Sequence, residues 1–215
     1  RHPAFDALHS YSMLEYAFLT FGSLFAIVDP FAAIPTFIAI TARDSAEQRR
    51  RMARTACITC AGIMALFAFL GPFIFRLFGI TLPAFQIAGG LVLLLSSLDM
   101  IRAQKSPMRE TPEEFAEGMN KDDIAITPLA TPLLAGPGAI TTSIVLAGRA
   151  ANLPQSVIFY VLIAAVALLS YWVLTLAADS AKKLSPTLLN IITRLMGLLL
   201  AAIGVQLILS ALKLG

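Results

Sequence analysis

Charge is what this chain has least of. Only 13% of its 215 residues are charged against 58% hydrophobic, and the mean hydropathy is +0.80. That leaves too little polar material to cover a water-soluble domain of this size, so the chain reads as an integral membrane protein with lipid as a partner. Histidine is equally scarce. His2 and His9 both lie at the very start, which argues against a metal centre and against a Ser-His-Asp arrangement. The two cysteines, Cys57 and Cys60, stand one helical turn apart in an apolar run, where buried packing is the expected role rather than redox chemistry. No G-x-x-x-x-G-K-[ST] loop occurs, so no phosphate cradle drives this protein. A net charge of +3 and a pI near 9.1 come without an aromatic-interleaved basic face, which argues against nucleic acid. No enzymatic activity and no cofactor or metal follow from these residues. A cleavable signal pattern is also missing, and the opening "RHPAFDALHS" is set aside from the fold argument.

What is present is a set of apolar runs. Six can be drawn, each near the ~20 residues that cross a ~30 Å hydrocarbon core: Tyr11 to Thr41, Thr55 to Phe78, Leu82 to Ile101, Ile124 to Gly148, Ser156 to Ala178 and Leu195 to Leu212. Three connections hold most of the basic residues: Arg43, Arg49, Arg50, Arg51 and Arg54; Arg102, Lys105, Arg109 and Lys121; Lys182, Lys183 and Arg194. Cytoplasmic loops carry the excess of Lys and Arg, so both termini are expected on the outer side. The stretch "SPMRETPEEFAEGMN", Ser106 to Asn120, is polar and proline-containing and reads as a cytoplasmic linker. It divides the chain into residues 1–105, a linker over 106–123, and residues 124–215.

The two parts resemble each other. "VDPFAAIPTF" aligns with "AGPGAITTSI" when Pro30 is set on Pro137, an offset of 107, and "QIAGGLVLLL" aligns with "RLMGLLLAAI" when Gly89 is set on Gly197, an offset of 108. Two matches at nearly one offset predict a duplicated three-span unit. With an odd number of spans the second copy enters from the opposite side. The expected fold is therefore an all-α membrane protein of six transmembrane segments, built as two inverted three-span repeats.

The first and fourth segments carry prolines where a helix should be continuous. Proline removes a backbone donor and clashes with the preceding turn, so Pro30 and Pro137 are expected to break these segments near the midplane. The freed amides after each break, at Phe31, Ala32 and Ala33 and at Gly138, Ala139 and Ile140, would face an anion at the positive end of a half-helix. Gly136 and Gly138 would let a ligand approach the backbone closely. Asp29, an acid costing on the order of 3 kcal/mol in a membrane interior, either binds an ammonium group or carries a coupling proton, and its plainer role is to cap the half-helix after Pro30. Thr131, Thr141, Thr142 and Ser143 flank the second break and either line a pocket or re-bond freed carbonyls. Gln86 and Gln206 either face the bundle or bond between helices. Asp99 beside Arg102, and Glu15, read as interfacial charges.

"LFAIVDPFAAIPTF", followed by "TARDSAEQRRRMAR", together with "ITPLATPLLAGPGAITTSIVLA", resembles the MarC family of inner-membrane proteins, also described as small neutral amino acid transporters. The resemblance covers almost the whole chain. Ala32 stands where members often carry glycine. It implies proton-coupled movement of glycine, alanine and similar zwitterions across the bacterial cytoplasmic membrane. The substrate-binding set read from the two breaks is Asp29, Pro30, Phe31, Ala32, Ala33, Gly136, Pro137, Gly138, Ala139, Thr141 and Thr142, with Asp29 as the proton-coupling candidate. Two other classes are weighed against a carrier: a channel or exporter for another small solute, since broken helices also build pores, and an intramembrane aspartyl protease pairing Asp29 with Asp99, for which no G-x-G-D stretch is present.

Overall fold

The computed structural model describes residues 13–41, 44–102, 134–150, 152–180 and 185–214. Every regular element among them is a helix: α1 (Met13–Val28), α2 (Pro30–Ile40), α3 (Ala46–Phe78), α4 (Leu82–Ile101), α5 (Pro137–Gly148), α6 (Leu153–Asp179) and α7 (Pro186–Leu214). Five stretches are long and apolar enough to cross a membrane, α1 and α2 counting together as one, and α5 is a shorter apolar helix. The linker over 106–123 and the start of the fourth expected segment, with Pro128, Thr131 and Pro132, lie outside the described residues.

Local chemistry sets the helix ends. The proline ring at position 30 disfavours the right-handed helical conformation at Asp29. There the backbone turns left-handed (φ 44°, ψ 64°), the only positive φ at a non-glycine position among the described residues. Pro30 then opens α2 at a position where the missing N–H costs nothing. At Ser45 a capping box starts α3: the Gln48 amide donates to Ser45 Oγ at 3.2 Å and the Ser45 amide donates to Gln48 Oε1 at 2.8 Å. This corrects the expectation that the span begins at Thr55. The box starts the helix at Ala46, so Arg49, Arg50, Arg51 and Arg54 lie on its first turns and not in a loop. Gly79 in the left-handed region (φ 64°) ends it. In the same way α7 begins at Pro186, ahead of the apolar run from Leu195, and carries Arg194 within the helix.

Packing is by narrow buried stripes. Ala53, Ala56, Cys57, Cys60, Met64, Ala68 and Gly71 form one side of α3 at helical spacing, and Phe159, Ile163, Val166, Ser170 and Leu174 form the facing side of α6. Large apolar side chains point outward instead, with Phe18 76% and Leu153 77% exposed. Such a surface suits lipid and not water. α4 and α7 run antiparallel in the most extensive contact of the molecule. A Cβ at Gly90 would lie 2.6 Å from the Gly204 carbonyl oxygen, and one at Gly204 would lie 2.8 Å from that of Gly90. Only glycine permits this approach. The short helices are interleaved: α2 packs on α6 and α7, and α5 packs on α3 and α4. Each therefore rests on the opposite half of the chain.

On the side where α3 begins, Arg49 ties three helix ends together. Its Nε donates to the Thr41 carbonyl at 3.0 Å and Nη1 to that of Ala178 at 3.5 Å. Arg50 pairs with Asp179 at 3.4 Å, both side chains well exposed. Solvent-exposed pairs contribute little, so Arg50→Ala is expected to change unfolding free energy by less than about 1 kcal/mol. A thermal unfolding comparison with the parent in detergent checks this; a larger loss would mean that the pair is shielded from solvent.

Candidate functional site

Asp29 is buried, 1% exposed, and caps α2: its Oδ1 accepts the Ala32 amide at 3.2 Å, while its own amide donates to Phe25 O at 3.0 Å. The capping role is thus present, and it places the carboxyl at the positive end of a half-helix. Pro30 and Ala33 are buried beside it, with Phe31 and Ala32 half-buried. Phe31 meets Phe25 edge-on at 5.9 Å, bracing the interruption from the α1 side.

The start of α5 is built differently. Gly136 is the N-cap of α5 in ordinary extended conformation (φ −62°, ψ 171°), and no side chain caps the helix. Its carbonyl accepts from Ala139 at 2.9 Å and from Ile140 at 3.1 Å. Pro137 is exposed, whereas Gly138, Ala139, Thr141 and Thr142 are buried. At Gly138 the space of a side chain is taken by Leu93 of α4, with Ile27 on the other side at 4.0 Å. A side chain at this position would have to displace the end of Leu93, a reason for the glycine that spacing alone did not supply. Thr141 presses in the same way against Gly89.

The interruption at Asp29 and the start of α5 come together. Ile27, two residues before Asp29, neighbours Gly138, and a crevice between α3 and α6 is lined by Val28, beside Asp29, and by Leu134, just ahead of α5. Cys57, Cys60, Met64 and Ser170 also line it, with Cys60 Sγ 3.7 Å from Met64 Sδ. None of the lining residues is charged, and the crevice is too narrow for a water molecule. Sequence reasoning left Met64 and Ser170 out and read the cysteines as packing. The signal available was their common spacing on the buried stripes of α3 and α6.

Hydroxyls in this region divide into two kinds. Ser143 donates to the Ala139 carbonyl at 2.7 Å and Thr175 to that of Tyr171 at 2.8 Å, the usual way for a helix to absorb them. Among the described residues Thr142 and Ser170 are buried with no hydrogen-bond partner, and both polar atoms of the Gln86 carboxamide are in the same position. Gln206, by contrast, is exposed and bonds Ser210 at 3.3 Å. The site can thus offer a carboxyl at the start of α2, an uncapped start of α5 and the Ser170 hydroxyl lining the crevice.

Known proteins resemble the chain over nearly its full length. It is 40% identical over 202 residues to the UPF0056 membrane protein MJ1677 of Methanocaldococcus jannaschii, covering 93% of this chain and 97% of that one. The UPF0056 membrane protein YhcE of Escherichia coli (strain K12) is 37% identical over 196 residues, 91% of each chain. YvbG of Bacillus subtilis, another UPF0056 membrane protein, is 35% identical over 202 residues, covering 94% and 96%. No solved structure matches the chain. With residues 14–214 matching the description "MarC family integral membrane protein", this multi-pass membrane protein belongs to the MarC family.

Proposed function

We propose that this protein is a secondary transporter for small neutral amino acids such as glycine and alanine, working by alternating access across the bacterial cytoplasmic membrane. The observation that carries the reading is the convergence of the Asp29–Pro30 interruption and the start of α5, one from each half of the chain, on one crevice; the reading takes both as helix breaks. In this reading the halves are inverted three-span repeats with both termini on the outer side. The interleaved short helices and the antiparallel α4–α7 contact support it, since a two-fold axis in the membrane plane would exchange these contacts.

A zwitterion fits the chemistry. Its carboxylate meets the uncapped start of α5, and Asp29 either meets its ammonium or carries the coupling proton. The Arg49 ties close the base-rich end of α3. Near the other end of α3 a groove of about 200 Å³ opens between Phe69, Pro72, Gly148, Phe159 and Tyr160. One closed end and one open end suit a carrier caught on one side of its cycle, and a crevice too narrow for water favours a carrier over a continuous pore.

Counterflow of labelled alanine into proteoliposomes loaded with unlabelled alanine tests the proposal. Saturable exchange by the parent protein is expected. Unsaturable, ion-like conductance would replace the carrier with a channel, and a folded protein that moves neither alanine nor glycine would remove the substrate.

A further inference from the structure

We propose that Gln86 of α4 and Thr142 of α5 form a second, uncharged binding station for the transported solute, apart from the helix interruptions and toward the end of the molecule where α4 begins. The inference rests on the transporter reading above. Gln86 is 0% exposed, and neither its amide nitrogen nor its amide oxygen has a hydrogen-bond partner; Thr142, 2% exposed, has a hydroxyl in the same state. Burying a carboxamide unpaired is costly, and native proteins leave few such groups without a role. An inter-helix hydrogen bond, the plain explanation of a glutamine in a span, is not made here.

Register places the two residues at similar levels. Gly89 sits against Thr141 and Leu93 against Gly138, so α4 and α5 run antiparallel. Gln86 shares the buried face of α4 with Gly89, Gly90 and Leu93, one turn before Gly89. At a rise of ~1.5 Å per residue, Gln86 and Thr142 differ by only about 3 Å along the helix axes. Leu93, which marks the level of the second interruption, is seven residues from Gln86, or about 10 Å. An alanine molecule is too short to touch both places at once.

The station's chemistry selects its ligand class. α5 contains no ionisable residue, and Asp99 of α4 lies near the opposite end of that helix, about 20 Å along it from Gln86. Arg76 of α3 and Arg149, just after α5, stand about 7 Å or more along the helix axes from Gln86, so among the described residues a net ion would have no direct countercharge at this level. A carboxamide and a hydroxyl both donate and accept, which matches a solute of zero net charge that carries donor and acceptor groups together. Glycine and alanine, as zwitterions, are such solutes. A waiting position of this kind holds the solute between the open end and the interruptions.

The test compares alanine counterflow and thermal unfolding of the parent with Gln86→Leu and Thr142→Val, both close in shape to the residues they replace. The expected result is a half-saturation concentration raised about tenfold in each variant, as for one lost hydrogen bond to the ligand. Unfolding temperature should be unchanged or higher, because an unpaired buried polar group has been removed. If both variants fold and exchange alanine within twofold of the parent, the station is overturned. It is equally overturned if Gln86→Leu fails to fold while Thr142→Val exchanges like the parent, since the carboxamide is then structural and the hydroxyl idle. If the parent itself exchanges no alanine, the substrate reading fails first. Thermal stabilisation of the detergent-solubilised protein by alanine, glycine or glycerol then decides separately: stabilisation of the parent that is lost in Gln86→Leu upholds the station, and no stabilisation of the parent overturns it.

Discussion

Asp29→Asn is expected to lower gradient-driven accumulation of alanine in proteoliposomes by more than about a hundredfold, with the fold intact. A charged hydrogen-bonded pair contributes on the order of 3 kcal/mol, which corresponds to that factor. Asparagine is chosen because it caps a helix and tolerates the left-handed backbone at this position almost as well as aspartate, so only the charge is lost. Asp29→Ala gives the contrast: cap and conformation both suffer, and the unfolding temperature should fall as well as transport. Exchange then separates the two roles of the acid. Should Asp29 hold the substrate ammonium, counterflow falls along with accumulation. Should it carry the proton, asparagine resembles the protonated state, so counterflow survives while accumulation is lost. Accumulation at the parent level in Asp29→Asn would reduce the residue to a helix cap and remove it from the transport mechanism.

The largest structural effect is expected where α4 crosses α7. In Gly204→Ala the new Cβ would stand 2.8 Å from the Gly90 carbonyl oxygen and 3.2 Å from Leu93 Cβ. Backbone cannot swing aside as a flexible side chain can, so the helices must separate. A cost of about 3 kcal/mol is expected, lowering the unfolding temperature by about 6–12 °C for a chain of this size. Gly62→Ala supplies the internal comparison. That glycine faces open space on α3, with nothing within 4 Å of the place a Cβ would take, and its replacement should leave stability unchanged or slightly improved. Thermal unfolding of the two purified variants beside the parent checks both. Equal behaviour of the two would mean that the α4–α7 contact is looser than the glycine geometry requires.

These expectations draw unequally on the sequence. The interruption at Asp29 and Pro30 was legible because proline acts on its immediate neighbours, and the start of α5 at Pro137 for the same reason. The starts of α3 and α7 were misread by hydropathy. A capping box and a proline at a helix start act without regard to apolarity, and the arginine-bearing turns of α3 are helical because Ser45 and Gln48 close them. The two glutamines looked alike in the sequence. Gln86 is fully buried and Gln206 exposed, a difference that depends on which face of each helix meets another helix.

What the sequence determined by itself is the local and the compositional: a membrane solvent, from too few polar residues; apolar helices of spanning length; and broken backbone beside an acid. These follow from one residue acting on the next few, or from totals over a run. Only the tertiary structure decided that Gly138 yields its space to Leu93, that Gly90 and Gly204 touch backbone to backbone, and that Val28 and Leu134 share one crevice with Cys57 and Ser170. It also decided that Arg49 reaches Ala178. Each of these pairs residues far apart in the chain, and antiparallel helix register, which no local pattern encodes, is what brings them into contact.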